Sequence, residues 1–137
     1  MTTNKLPRGI RNNNPLNIRI GNKWQGEVKK PTDRQFEQFI SMEWGIRAAF
    51  IILKRYIRRY GHNTIARIVA TWAPANENNT RAYILAVSKR TRLNSDLPVR
   101  YEDEDVMCSI VSAMIEVECG QSVPMDVIKK GYSMAQP

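Results

Sequence analysis

The segment Ile115-Glu116-Val117-Glu118-Cys119-Gly120 puts two carboxylates in what reads as the last turn of a helix. The negative end of the helix dipole disfavours anions there. The two acids are not equivalent. Stepping back by helical intervals from Glu118 reaches Ile115, Met114 and Val111, so its side chain follows an apolar stripe. The same steps from Glu116 reach Ala113, Ser112 and Ser109, a more polar face. A carboxyl at an apolar helix end loses hydration and faces carbonyl oxygens, and both effects raise its pKa. A glutamate tuned in this way is a general acid near neutral pH. Glycoside hydrolysis needs such an acid to protonate the leaving oxygen. The competing structural reading pairs Glu118 with one of the many arginines.

The elements that must position this acid are legible in the hydrophobic pattern. Residues 1–14 read as irregular, with 1–10 forming an N-terminal arm, because Pro7, Gly9 and Asn12-Asn13-Asn14-Pro15 favour turns. Leu16-Asn17-Ile18-Arg19-Ile20 alternates apolar and polar residues, which predicts a short strand. Phe36 and Phe39 flank a second extended stretch, and together these suggest a small β-like lobe. From Ser41, a candidate N-cap, the period becomes helical: Ile46, Ala49, Phe50, Leu53, Ile57 and Tyr60 form one stripe, ended by Gly61. Asn63 or Thr64 caps a second helix that Pro74 stops. Asn78-Asn79-Thr80 caps a third, running through Tyr83 and Val87. Glu102-Asp103-Glu104-Asp105 opens the most regular helix, with acids suited to its positive end. Gly120 ends that helix. Pro124 and Asp126 start a last short helix through Ile128. The expected fold is mainly α (α+β), with about five helices and a small N-terminal β-like lobe in one domain over 1–137.

The chain has 137 residues, 42% of them hydrophobic and 25% charged, which excludes wholesale disorder. Its longest apolar run, Ala48 to Leu53, ends at Lys54 and is far too short to span a bilayer. The first ten residues carry no apolar core of a signal peptide. The expectation is therefore synthesis in a bacterial cytoplasm, with any action outside the cell needing another export factor. Net charge is +8, distributed as +9 over residues 1–60, +4 over 61–100 and −5 over 101–137. A basic body attracts polyanions such as nucleic acid or an acidic cell wall. The alternative is internal, an acidic segment docking on a basic one. Cys108 and Cys119 fall on one predicted helix, about 16 Å apart along its axis, which is beyond disulfide reach. With His62 as the one histidine, a zinc site has too few ligands. No metal or cofactor is implied.

Several motifs carry resemblances. Ala113-Met114-Ile115-Glu116-Val117-Glu118-Cys119-Gly120 resembles the helix end of lysozyme-like muramidases and lytic transglycosylases, where the catalytic glutamate is followed by serine and glycine. Here Cys119 stands in the serine position. Asn13-Asn14-Pro15-Leu16-Asn17-Ile18-Arg19 is similar to the Asn-Asn segment of flagellar-type glucosaminidases, with Trp24, Gly26, Phe36, Phe39 and Ser41 following in similar order. In those enzymes the catalytic helix precedes the Asn-Asn segment; here it follows. The resemblance therefore implies a circularly permuted lysozyme-like domain, a rearrangement tolerated where termini lie close together. A further resemblance covers nearly the whole chain. Arg8 to Pro15, Glu43-Trp44-Gly45-Ile46-Arg47-Ala48, and Trp72-Ala73-Pro74 with Glu77 to Thr80 and Tyr83 look like a family of small phage and prophage proteins. These are virion or structural proteins, some taken to degrade peptidoglycan.

The resemblance implies cleavage of the MurNAc–GlcNAc strand, by a muramidase or a lytic transglycosylase, with Glu118 as general acid/base. Asn13, Asn14, Asn17, Trp24, Glu77, Asn78 and Tyr83 would bind the substrate. Aromatic rings suit sugar faces and amides suit N-acetyl groups. For Trp72 the structural reading is core, for the asparagines turn chemistry, and for Tyr83 either core or groove. Glu43 and Glu77 are the candidates for a second carboxylate. Glu43 falls in a helix first turn, where an acid is expected for dipole reasons alone. A lytic transglycosylase dispenses with a second acid, since the substrate's own hydroxyl attacks. Two other readings stand beside this one. The chain could be a non-catalytic virion or wall-binding protein on the same fold, with other virion proteins as partners. It could also bind nucleic acid through Lys54-Arg55-Tyr56-Ile57-Arg58-Arg59, although this run has only the spacing of a solvated helix face.

Overall fold

The computed structural model describes residues 6–74 and 79–136. Among these, six helices follow in order: α1 (Arg8–Arg11), α2 (Met42–Tyr60), α3 (Ile65–Trp72), α4 (Thr80–Thr91), α5 (Glu104–Cys119) and α6 (Met125–Met134). The mainly α class follows directly. The long amphipathic α2 turns Ile46, Ala49, Phe50 and Leu53 into the core. It packs along α6, while α5 packs on α4, α6 and the short α1. Helix α5 is buried on most of its circumference, through Met107, Ile110, Val111, Met114 and Ile115. It is therefore the strut around which the other elements settle.

The predicted helix limits meet their physical signals. Gly61 and Gly120 take left-handed φ of 68° and 70° and end α2 and α5. The side chains of Thr64, Asn79 and Asp103 each accept a backbone N–H at the start of α3, α4 and α5. Ser41 precedes α2 in extended conformation, without a side-chain cap bond.

Three expectations need correction. The N-terminal arm is not irregular throughout, because Arg8–Arg11 forms a helical turn after Pro7, ended where Asn13 takes a φ of 53°. The strand predicted over Leu16–Ile20 does not form. Asn17 sits at a left-handed φ of 54° and breaks the extended run. What remains is a lobe folded back by two isolated antiparallel bridges, Arg19 with Phe36 and Glu27 with Phe39. Its Leu16, Ile18 and Phe39 join the helical core. Helix α6 runs past Ile128 to Met134, with Gly131 on its packed face. A Cβ there would stand 2.5 Å from Ile46 Cγ2, so the glycine permits the close approach of α6 to α2.

The acidic and basic segments meet within the chain, at its surface. Arg58 of α2 donates to Glu102 at 2.7 Å, and Lys54 donates to the carbonyl of Ala135 at 2.7 Å, just beyond the end of α6. Both cations lie over the Tyr101 ring. Tyr101 is stacked on Tyr132 at 5.3 Å, and Tyr132 meets Phe50 edge-on at 5.1 Å. Two cations of the 54–59 run, which reads as a solvated face with nucleic acid as the alternative, thus have partners within the chain. No helix among the described residues is long and apolar enough to cross a membrane.

Candidate active site

Glu118 is the penultimate residue of α5, half-buried. Its carboxylate accepts two hydrogen bonds from distant parts of the chain. Asn17 Nδ2 donates to Oε1 at 3.0 Å, and the Tyr83 hydroxyl donates to Oε2 at 3.0 Å. Both donors are neutral. The arginine pairing falls instead to Glu116 on the polar face, which Arg90 approaches at 3.7 Å. Burial pushes the Glu118 carboxyl above the usual carboxylate range, and the Asn17 and Tyr83 donors pull part of the way back. Burial, and then the Glu118 carboxylate, hold the Tyr83 hydroxyl firmly protonated. Tyr83 is therefore a standing donor.

Asn17 reaches Glu118 because the loop before it is rigidly built. Asn14 is fully buried. Its Nδ2 donates to the carbonyls of Ile18 and Glu37, at 3.0 and 2.9 Å, and its Oδ1 accepts Ile18 N–H at 2.9 Å. Asn17 N–H donates to the Asn14 carbonyl at 3.0 Å. Asn13 Nδ2 donates to the Phe39 carbonyl at 3.1 Å. Asn12 bridges Asp33 and Gln38, and Asp33 in turn holds Arg8 through two bonds of 2.7 Å. That guanidinium keeps the Asp33 carboxyl well below its ordinary pKa.

A pocket of about 140 Å³ opens at Glu118, lined also by Leu16, Asn17, Arg19, Phe36, Trp72 and Ala73. It adjoins one of about 320 Å³ that shares Asn17, Arg19 and Trp72 and extends to Tyr56 and Thr71. Together they form a groove with Glu118 towards one end. Trp72 stands at the junction, edge-on to Tyr56 at 6.3 Å. Among the described residues, Glu118 is the one carboxylate lining the pocket at its end.

The structure thus brings Asn17 and Tyr83 of the predicted substrate-binding set onto Glu118. Asn13 and Asn14 do not line the pocket. The Asn13 Nδ2 and the Asn14 amide bond to backbone groups, and so brace the loop. Trp24 lines neither pocket; it packs on the core, half-buried, with its indole N–H unpartnered among the described residues. Glu77 and Asn78 lie outside the described residues. Glu43 lines a different, apolar groove with Ile10, Met42, Val123 and Val127. Trp72, read as core from its spacing, does pack against the core half-buried, and it lines the groove as well. Sequence reasoning missed Tyr56, whose only signal was an aromatic on the less buried side of α2.

Pseudoalteromonas phage PM2 encodes a protein, named Protein P5, that is 39% identical to this chain over 134 residues. The match covers 94% of this chain and 82% of the phage protein. The chain belongs to the P5 family. No protein-family model matches the sequence. The span of the P5 match takes in every element that builds the groove, from the Asn17 loop to the end of α5.

Proposed function

We propose that this member of the P5 family cleaves the glycan strand of peptidoglycan, with Glu118 as general acid/base. The fold in this reading is a circularly permuted lysozyme-like domain. The observation that carries the proposal is a half-buried glutamate at a helix end, facing a groove and held by two neutral donors. The meeting of the N-terminal Asn17 loop with the C-terminal Glu118 supports the permuted order.

The chemistry follows from the geometry. Burial raises the Glu118 pKa and so favours its acid form. The acid form gives its proton to the glycosidic oxygen as the bond from that oxygen to the anomeric carbon breaks. The carboxylate left behind is stabilised by Asn17 and Tyr83. It then accepts a proton from the hydroxyl that attacks the anomeric carbon, either water or a hydroxyl of the same sugar. Glu118 alone suffices when the attacking hydroxyl belongs to the same sugar, and that is the lytic transglycosylase reaction. Trp72 and Tyr56 supply apolar faces for neighbouring sugar rings. A phage relative fits delivery to the cell wall by a virion or by another factor.

Cleavage of purified peptidoglycan, with reducing ends and anhydro sugars measured for wild type and Glu118→Gln, tests this. New ends from wild type alone support it. A second reading rests on the fact that both Glu118 oxygens already accept hydrogen bonds, which would also suit a structural glutamate in a wall-binding protein. That reading predicts binding by both proteins and new ends from neither.

A further inference from the structure

We infer that Gly9 and Cys119 are positioning residues for Glu118, acting through the Asn17 loop. The inference of a catalytic consequence rests on the function proposed above; the geometric claim does not. Three observations converge. The Cys119 thiol donates to the Pro15 carbonyl at 3.1 Å, so the residue beside Glu118 on α5 grips the loop backbone just before Asn17. Cys119 is buried, and burial followed by the Glu118 charge pushes its thiol up to about 11, so it keeps the proton it donates.

The third observation is Gly9. A Cβ at this position would stand 2.9 Å from Asn17 Oδ1, 3.0 Å from Cys119 Sγ and 2.9 Å from the Asn14 carbonyl oxygen. Only a bare Cα lets α1 close over both side chains at once. With Oδ1 packed against α1, the amide nitrogen of Asn17 is the end presented to Glu118. The Gly9 carbonyl also accepts Asn14 N–H at 2.8 Å, which ties α1 to the same loop. Gly9 thus forms the back wall and Cys119 the grip. Neither touches the groove, but together they fix a donor on the acid.

The test uses the full chain with carbon-13-labelled glutamate and follows the Glu118 carboxyl by NMR titration. The variants are Cys119→Ala, Cys119→Ser and Gly9→Ala, with circular dichroism to check the fold. The Asn17 donor lowers the Glu118 pKa, so loosening it raises that pKa. The expected result is an upward shift of about half a unit in Cys119→Ala, given the usual strength of one such hydrogen bond. Cys119→Ser supplies a hydroxyl donor and returns the value to that of wild type. Gly9→Ala shifts the value upward as Cys119→Ala does. An unshifted Glu118 titration in folded Cys119→Ala overturns the inference, and so does failure of Cys119→Ser to restore the value. The pH profile of wall cleavage should move with the titration. If the titrations shift as expected but wild type cleaves no peptidoglycan, the positioning claim stands and the proposed function falls. If cleavage is sound but the titrations do not shift, the reverse holds.

Discussion

Asn17 and Glu118 are 101 residues apart in the chain and meet through a 3.0 Å hydrogen bond. Tyr83 holds the other carboxylate oxygen from a third element, α4. The acid is therefore balanced between two opposed influences. Burial favours its neutral form and the two donors favour its charged form. A residue that must give a proton and then carry the resulting charge needs both.

Tyr83→Phe tests that balance. The hydroxyl stabilises the carboxylate, so its removal favours the acid form and raises the Glu118 pKa. The alkaline limb of the cleavage profile, where Glu118 loses its proton, should move to higher pH by up to about one unit. Stability should fall by about 1 kcal/mol, as for one buried hydrogen bond. A limb that moves to lower pH would contradict the assignment of Tyr83 as a donor to the catalytic carboxylate.

Gly45→Ala tests the seat of the asparagine loop. A Cβ on Gly45 would lie within 1.8 Å of the Asn13 carbonyl oxygen, a backbone atom with no room to turn aside. Overpacking of this kind costs about 1–3 kcal/mol or more. A thermal melt should show a clear drop in Tm, and the displaced loop should weaken cleavage as well. An unchanged Tm would mean that α2 and the loop are less closely apposed than the structure has them.

Glu37 makes a separate prediction about pH. It is only 4% exposed and Oε2 has no hydrogen-bond partner among the described residues. Burial, and then the neighbouring Glu27 carboxyl, push Glu37 up to about 7. Between the ordinary glutamate value of about 4.3 and that raised value, the folded chain holds a proton that the unfolded chain has released. Stability from this group is therefore fully present below the unfolded value and is lost as pH rises through about 7. Glu37→Gln should flatten that slope in urea-unfolding midpoints measured across the window. A wild type whose midpoint rises across the same window, with no change in the variant, would contradict a protonated Glu37.

The contrast between Glu116 and Glu118 is legible in the sequence because helical spacing assigns each a face. Cap residues and terminal glycines likewise mark the helix ends, since their signals are local. The same logic fails where tertiary packing decides. The last helix reads as ending near Ile128, yet it continues to Met134, with Gly131 allowing its close approach to Ile46. Leu16–Ile20 alternates like a strand, yet Asn17 turns out of it to reach α5. Asn14 looks like a sugar ligand by type, and no local rule reveals that three backbone partners use up its amide. The Cys119 contact with Pro15 joins residues 104 apart, a distance that no periodicity spans.

The central claim is that Glu118 donates the proton that breaks the glycan strand. Digestion of purified peptidoglycan by wild type and by Glu118→Gln, with released muropeptides resolved by mass spectrometry, tests it most directly. Gln keeps the shape and accepts one of the two hydrogen bonds through its amide oxygen, but has no acidic proton to give. The account predicts anhydro-muropeptides from wild type and a rate lower by about a hundredfold or more in the variant. Equal product from a folded Glu118→Gln protein would contradict it.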